Sequence, residues 1–313
     1  MLRIASVAQG MITKGQPMIR HLPMFLSGLT AGRSLPSIAP QPFRDILPTI
    51  KQDVPNPKGK IAIFTGCLLD FVYVDIATDV VKALNMAGYI VEMPLGQACC
   101  GAPATYMGDV ENAKKAAELN LNAMEAEKYD YIVSACPTCT HALRDYVDFF
   151  KDDPEMLKKA EELRSKTFDF CKLVSMLGGL PDTGDGVPMK VTYHDSCHLN
   201  RYLGVTKEQR ELLKATKGVE LIEMHDCDKC CGFGGSYSVK FPEMSAPILE
   251  EKINNIVASG ADVVAVDCPG CLLQIRGGLD ARGLNNIQVK HTAQIVVEKR
   301  EKKLGNNVGR KGK

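Results

Sequence analysis

The chain of 313 residues has almost no net charge, with 38 Lys and Arg against 37 Asp and Glu. That removes the bulk electrostatics on which nucleic-acid binding rests, and no nucleic acid is expected as a partner. No stretch approaches the roughly 18 apolar residues of a membrane-spanning helix. The opening MLRIASVAQGMITKGQPMIR is broken by Gly and Lys before any long apolar core, so no secretory leader is expected. The expected location is therefore cytoplasmic, where thiols stay reduced and cysteines serve metal or redox chemistry rather than structural disulfides. Cysteine itself is missing from the first 66 residues.

Beyond that point there are 12 cysteines, and ten of them form two copies of one pattern. Cys67, Cys99, Cys100, Cys136 and Cys139 are spaced by 32, 1, 36 and 3 residues. Cys197, Cys230, Cys231, Cys268 and Cys271 are spaced by 33, 1, 37 and 3. Cys67 and Cys197 are 130 residues apart, and Cys139 and Cys271 are 132 apart. A domain-sized unit has been duplicated, in keeping with a chain of about two domains at roughly 150 residues each.

The units read as alternating strands and helices. In the first, the strand KIAIFTG (60–66) runs up to Cys67, a helix is expected over 72–86, and the strand YIVEM (89–93) precedes Cys99-Cys100-Gly101. A helix over 109–128 and the strand DYIVSA (130–135) then lead to Cys136. The second unit repeats this with KVTYHD (190–195), a helix over 207–216, VELIEM (219–224), a helix over 243–258 and ADVVAVD (261–267). Short apolar strands alternating with helices predict an α/β fold: two duplicated parallel-sheet, Rossmann-like units related by internal pseudo-symmetry. The expected division is an N-terminal extension over 1–57, proline-rich with one short helix near 24–29, a first unit over 58–180 and a second over 181–313. One or two linking helices are expected over 154–179, with PDTGDG (181–186) as the boundary loop. The tail 298–313, seven basic residues against two acidic, is expected to be solvated or frayed.

Each matched cysteine falls at the C-terminal end of a strand or just after it, the edge where parallel sheets bind ligands. Helices starting at Pro137 and Pro269 would point free N–H groups at the sulfurs and favour thiolates. Gly101 and Gly232 would let the backbone turn tightly and come close to a bulky cofactor. A structural zinc takes four ligands and leaves one of five thiols over. Disulfides suit neither the compartment nor adjacent cysteines. An ordinary [4Fe–4S] cube also takes four cysteines, so a fifth in both sets points to a spare redox thiol or to a cluster that is not a simple cube. Cys171 and Cys227 lie outside the pattern, the first expected as a buried apolar residue and the second as a non-ligand. His194 and His198 flank Cys197 and are candidates for donating to the cofactor or supplying a proton. His141, His291 and Lys240 are weaker candidates, Lys240 as a compensating cation.

At these residues the chain resembles the cysteine-rich CCG-domain family, which includes the cysteine-rich subunit of heterodisulfide reductase and the iron–sulfur subunits of lactate, glycolate and anaerobic glycerol-3-phosphate oxidising systems. The resemblance covers about residues 60–297 and rests on both complete C…CCG…CxxC sets. HDSCHLNR, CCGFGGSYSVKFPEMS, the closing HTAQIV and the upstream FLSGLTAGRSLPSIAPQPFRD are similar to the lactate/glycolate branch. The resemblance implies two [4Fe–4S] clusters of non-cubane type, held by Cys67, Cys99, Cys100, Cys136 and Cys139 and by Cys197, Cys230, Cys231, Cys268 and Cys271. It implies an oxidoreductase subunit passing electrons between a flavoprotein that oxidises a 2-hydroxy acid and a ferredoxin or quinone acceptor. The alternative it offers is a catalytic subunit, of the heterodisulfide reductase kind, that cleaves a disulfide at one cluster. Many relatives of the first branch carry a two-cluster ferredoxin domain, so a ferredoxin-like iron–sulfur subunit joins the flavoprotein as an expected partner. Membrane association is expected only peripherally, through partners.

Overall fold

The computed structural model describes residues 18–19, 34–181 and 186–308. The first unit contains strands β1 (Lys60–Ile63), β2 (Ile90–Glu92), β3 (Tyr131–Ser134) and β4 (Thr167–Asp169), all parallel, in the order β2-β1-β3-β4. The second contains β5 (Met189–Tyr193), β6 (Val219–Leu221), β7 (Val263–Val266) and β8 (Gln288–His291) in the same order, β6-β5-β7-β8, again all parallel. The strands are apolar because both faces are covered: Ile61, Ala62 and Ile63 are all buried, as are Val263 through Val266. The duplication extends to single hydrogen bonds. Phe64 N–H donates to the Val133 carbonyl at 2.8 Å, and His194 N–H to the Ala265 carbonyl at 3.0 Å.

The helices of the first unit are α1 (Gly66–Phe71), α2 (Val74–Met86), α3 (Ala102–Tyr106), α4 (Val110–Met124), α5 (Pro137–Asp145), α6 (Pro154–Lys166) and α7 (Phe170–Met176). The second has a π-helical turn at His198–Tyr202, then α8 (Glu208–Lys214), α9 (Tyr237–Lys240), α10 (Pro242–Ala258), α11 (Pro269–Ala281) and α12 (Thr292–Val308). Starts follow local chemistry. The carboxylates of Asp109, Asp153 and Asp169 accept from backbone N–H groups of α4, α6 and α7, and Pro137 and Pro269 occupy the first turns of α5 and α11.

The helix expected over 72–86 is present as α2, starting at Val74, with the short α1 before it. Two expectations need correction. The linking segment holds α6 and α7 with a strand, β4, between them, and β8 is a fourth strand in the second unit as well. The tail expected as solvated or frayed continues as α12 to Val308, and Lys299 and Arg300 at its start are buried. The helix expected near 24–29 lies outside the described residues.

The units meet in a pseudo-two-fold arrangement. Helix α2 packs on α12 and α8 packs on α7, so each unit offers the helix after its first strand to the helix after the other's fourth. Polar contacts echo this: Lys172 pairs with Glu208 at 2.8 Å across one seam, and Gln294 Nε2 donates to Asp75 at 2.8 Å across the other. One apolar core runs through both units, joining Ile61, Val80 and Val133 to Val264, Val266, Leu272 and Val296. The segment before β1 is tied to this body. Ser34 N–H donates to the Gly277 carbonyl at 3.1 Å, Arg44 grips the fully buried Asp70, and Phe43 is wholly buried in the core. Burial of one such ring contributes about 1.5–3 kcal/mol.

Candidate metal centre

All ten patterned cysteines gather at the C-terminal edges of the two sheets. Cys67 sits in the first turn of α1, Cys136 and Cys268 are the N-cap residues of α5 and α11, and Cys139 and Cys271 lie one turn further. The vicinal pairs occupy the loops that lead into Gly101 and Gly232, whose φ angles are both +83°. A Cβ at Gly101 would lie 3.2 Å from the Ala113 carbonyl oxygen of α4, and one at Gly232 would lie 2.7 Å from the Ser245 carbonyl oxygen of α10. Backbone sign favours glycine at both positions, and at 232 the close approach of α10 requires it as well.

The sulfurs form one continuous series. Cys67 is in hydrogen-bonding reach of Cys99, Cys99 of Cys100, Cys100 of Cys139 and Cys139 of Cys136. Across the pseudo-two-fold, Cys136 reaches Cys268. The series continues through Cys271 and Cys231 to Cys230 and Cys197. Cys67, at one end of the series, is exposed, as is Cys230 next to the half-buried Cys197 at the other end, while Cys100, Cys136, Cys139, Cys231, Cys268 and Cys271 are buried. The spacing showed two sets; that the sets abut at Cys136 and Cys268 is visible only in the fold.

The sites are built to hold negative charge on sulfur. Hydrogen bonds from Cys100 and Cys67, with the N–H groups of Gly101 and Cys100, hold the Cys99 thiol as a thiolate and lower its pKa to about 2. Cys197, Cys231 and the Gly232 N–H do the same for Cys230, again to about 2. Cys136 and Cys271 lower Cys268. Their neighbours shift the other way: Cys67 is raised by its bond to Cys99 and Cys197 by its bond to Cys230, each further raised by burial. Five sulfurs per set, with backbone donors aimed at them, fit a sulfur-ligated metal cluster.

The loops are pinned differently in the two units. In the first, the Gln97 side chain accepts from Thr65 N–H at 3.2 Å and donates to the Ile63 carbonyl at 2.8 Å. Buried Asn120 of α4 accepts from Ala98 N–H and donates to the Cys99 carbonyl and to Tyr146 Oη, and the Tyr146 hydroxyl donates to the Cys100 carbonyl at 2.9 Å. In the second, buried Lys252 of α10 donates to the Asp226 and Cys227 carbonyls at 2.5 and 3.3 Å. Ser245 Oγ donates to the Gly232 carbonyl at 2.7 Å. Asp195 is clamped by both terminal nitrogens of Arg210 at 3.0 and 2.7 Å. Asn120, Tyr146, Lys252 and Arg210 do not stand out in the sequence, where they read as ordinary polar positions on amphipathic helices.

The remaining candidates separate clearly. His194 is fully buried, and a ring nitrogen lies with Cys231 Sγ and Cys271 Sγ in a group whose atoms are all within 4.8 Å of one another. Neither ring nitrogen has a hydrogen-bond partner, and burial lowers its pKa to about 4, so the ring is neutral. His198 turns toward the first unit: Nε2 lies 2.8 Å from Tyr106 Oη and Nδ1 lies 3.4 Å from Thr138 Oγ1, with the ring stacked on Tyr202. His141 stacks on the same tyrosine and pairs with Asp145. His291 caps α12, its Nδ1 accepting from Ala293 N–H, and lies beside Asp267, the residue before Cys268. Lys240 is exposed at the end of α9. Cys171 is buried as expected, though its thiol donates to Asp267, which also accepts from Tyr193 at 2.6 Å. Cys227 faces Arg210, at 3.6 Å.

Among the described residues, no helix is long and apolar enough to cross a membrane. The model for the cysteine-rich CCG domain matches this chain twice, over residues 61–144 and 191–276. The chain is 39% identical over 240 residues to lactate utilization protein A of Shouchella clausii (strain KSM-K16), covering 76% of this chain and 99% of that protein. It is 36% identical over 238 residues to the protein of the same name from Bacillus subtilis (strain 168), covering 76% and 98%. Matches over nearly the whole of these relatives leave them no room for an added ferredoxin domain, so the expectation of one does not apply to them. In fold, a hypothetical protein from Helicobacter pylori superposes with a TM-score of 0.54 at 11% identity, over 85% of this chain and 55% of that one. With two matches to the domain and relatives of this closeness, the chain belongs to the cysteine-rich CCG domain family, alongside the lactate utilization A proteins.

Proposed function

We propose that this chain is the iron–sulfur subunit of a multi-subunit oxidoreductase that carries electrons away from the oxidation of a 2-hydroxy acid, lactate being the substrate class that its relatives' names supply. The observation that carries this reading is the unbroken series of ten sulfurs, exposed at Cys67 and Cys230 and buried where the units meet. Cys67, Cys99, Cys100, Cys136 and Cys139 would hold one [4Fe–4S] cluster and the second set another, the fifth sulfur of each favouring a non-cubane form. When bound, the clusters supply one-electron carriers.

The protein's own part is to hold and orient. Cys136 and Cys268 bring the two sites into contact, and Gly101 and Gly232 let the vicinal pairs approach closely. The apolar core excludes water from the inner sulfurs. On this reading the chain carries electrons, and the 2-hydroxy acid is oxidised on a flavoprotein partner in the same, cytoplasmic, complex.

Metal analysis of anaerobically prepared protein tests the reading: about eight irons with matching acid-labile sulfide per chain are expected. Zinc without iron overturns it. Co-purification of a flavoprotein that lactate or glycolate reduces supports the assigned partner. Thiol release from a heterodisulfide by the isolated chain would move the assignment to a disulfide-cleaving subunit.

A further inference from the structure

The two sites differ in charge at matched positions. The same backbone bond fixes the match of Phe64 to His194. The packing of Gly101 on Ala113 and of Gly232 on Ser245, with Ala113 and Ser245 132 residues apart, fixes the match of Asn120 to Lys252. Counting from Cys67 and Cys197 along the turn that follows, Phe71 matches Arg201. At all three places the first unit has a neutral side chain and the second has a cation or an imidazole.

Lys252 is only 1% exposed. Its ammonium bonds two carbonyls of the loop before Cys230 and lies within electrostatic reach of Cys231, as Arg201 does of Cys197. The carboxylates around it are engaged or wet: Asp195 by Arg210, Asp226 and Glu251 by Lys229, and Asp228 is exposed to solvent. In the first unit, Asn120 is a neutral amide with its partners in place, and Arg44, which lies over the Phe71 ring, is neutralised by buried Asp70. A buried cation is screened far less than a surface one, and charge and N–H donors beside a cluster stabilise its reduced, more negative form.

We infer that Lys252, assisted by His194 where the first unit has Phe64, makes the second-unit site the electron sink of the pair. An electron leaves the first-unit cluster, which is oxidised by one, and arrives at the second-unit cluster, which is reduced by one; no bond breaks and no proton moves. Electrons thus enter beside Cys67 and leave beside Cys230. The inference rests on the two-cluster reading above.

An EPR-monitored redox titration of the loaded chain tests it. Two separate midpoints are expected. Lys252→Met should lower the upper midpoint, with at least a tenfold loss in that cluster's reduction equilibrium, which is about 59 mV for a one-electron couple, and leave the lower one in place. Asn120→Lys should raise the lower midpoint, and Lys252→Arg should behave as the unaltered chain. If K252M does not load iron, Lys252→Gln, which retains a donor for the Asp226 carbonyl, carries the same expectation. A loaded chain whose clusters titrate together, or a loaded K252M or K252Q with both midpoints unmoved, overturns the inference alone. A chain without iron overturns the two-cluster reading with it.

Discussion

Replacing Gly232 by alanine should cost the second site far more than the matching change costs the first. Both glycines sit at φ +83°, where an L-residue is strained by about 1–2 kcal/mol. There the likeness ends. The new Cβ at 232 would stand 2.7 Å from the Ser245 carbonyl oxygen and 3.3 Å from Ile248 Cβ, both on α10. Neither atom belongs to the far end of a flexible side chain, so loop and helix must separate. Separation stretches the 2.7 Å bond from Ser245 Oγ to the Gly232 carbonyl, worth roughly 1 kcal/mol. The total for Gly232→Ala is about 2–3 kcal/mol. At Gly101 the nearest atom is 3.2 Å away, a contact that a small shift of the helix relieves, and the cost stays near the backbone strain of about 1–2 kcal/mol. Iron per chain and urea denaturation, measured on both variants prepared anaerobically, give the comparison. The expected result is one site's iron lost from G232A and both largely kept in G101A. Equal destabilisation, or full iron in G232A, would refute the reasoning from close approach.

Cys100→Ala and Cys231→Ala should each remove or convert one cluster, read as loss of one EPR signal, while Cys171→Ala leaves iron content whole; loss of both signals from either ligand variant would contradict two separable sites. Arg210→Met leaves Asp195, whose side chain is 5% exposed, as an unpaired charge, and should destabilise by about 2–3 kcal/mol in urea. In the cluster-free chain, His194 has its pKa lowered from 6.5 to about 4 by burial. The unfolded chain therefore binds its proton first as pH falls, and stability present above about pH 6.5 is lost progressively toward pH 4, by about 3 kcal/mol in all. His194→Phe, the residue at the matched position of the first unit, should flatten that acid limb in denaturation curves taken between about pH 7 and 4.

The cysteine spacing carried the duplication, the parallel sheets and the strand-end placement of every candidate ligand, because those depend on local apolar runs and on repeat distance. The fourth strands did not show. Thr167–Asp169 is three residues wedged between two helices, and Gln288–His291 alternates polar with buried residues at a sheet edge. Both are held as strands by pairing to β3 and β7, a tertiary cause that periodicity does not report. The meeting of Cys136 with Cys268 was equally out of reach, since spacing within a unit says nothing of how units dock. Asn120 and Lys252 fall between Ala117 and Leu121, and between Leu249 and Ile253, on helix faces that turn toward the cysteine loops, but as polar residues of amphipathic helices they do not stand out. Reading them as a matched pair required the helix register that Gly101 and Gly232 establish.

The seam between the units has the form of a two-fold dimer contact, α2 on α12 and α8 on α7. In a true homodimer the symmetry operator makes both sites identical, and any substitution appears in both at once. Two equal sites have no downhill direction between them. Joining both copies in one chain lifts that constraint: each position can change alone while the shared contact surface is kept. The fused pseudo-dimer is thus the smallest assembly of this unit in which neighbouring sites can be given unequal surroundings, and passage between them a preferred sense.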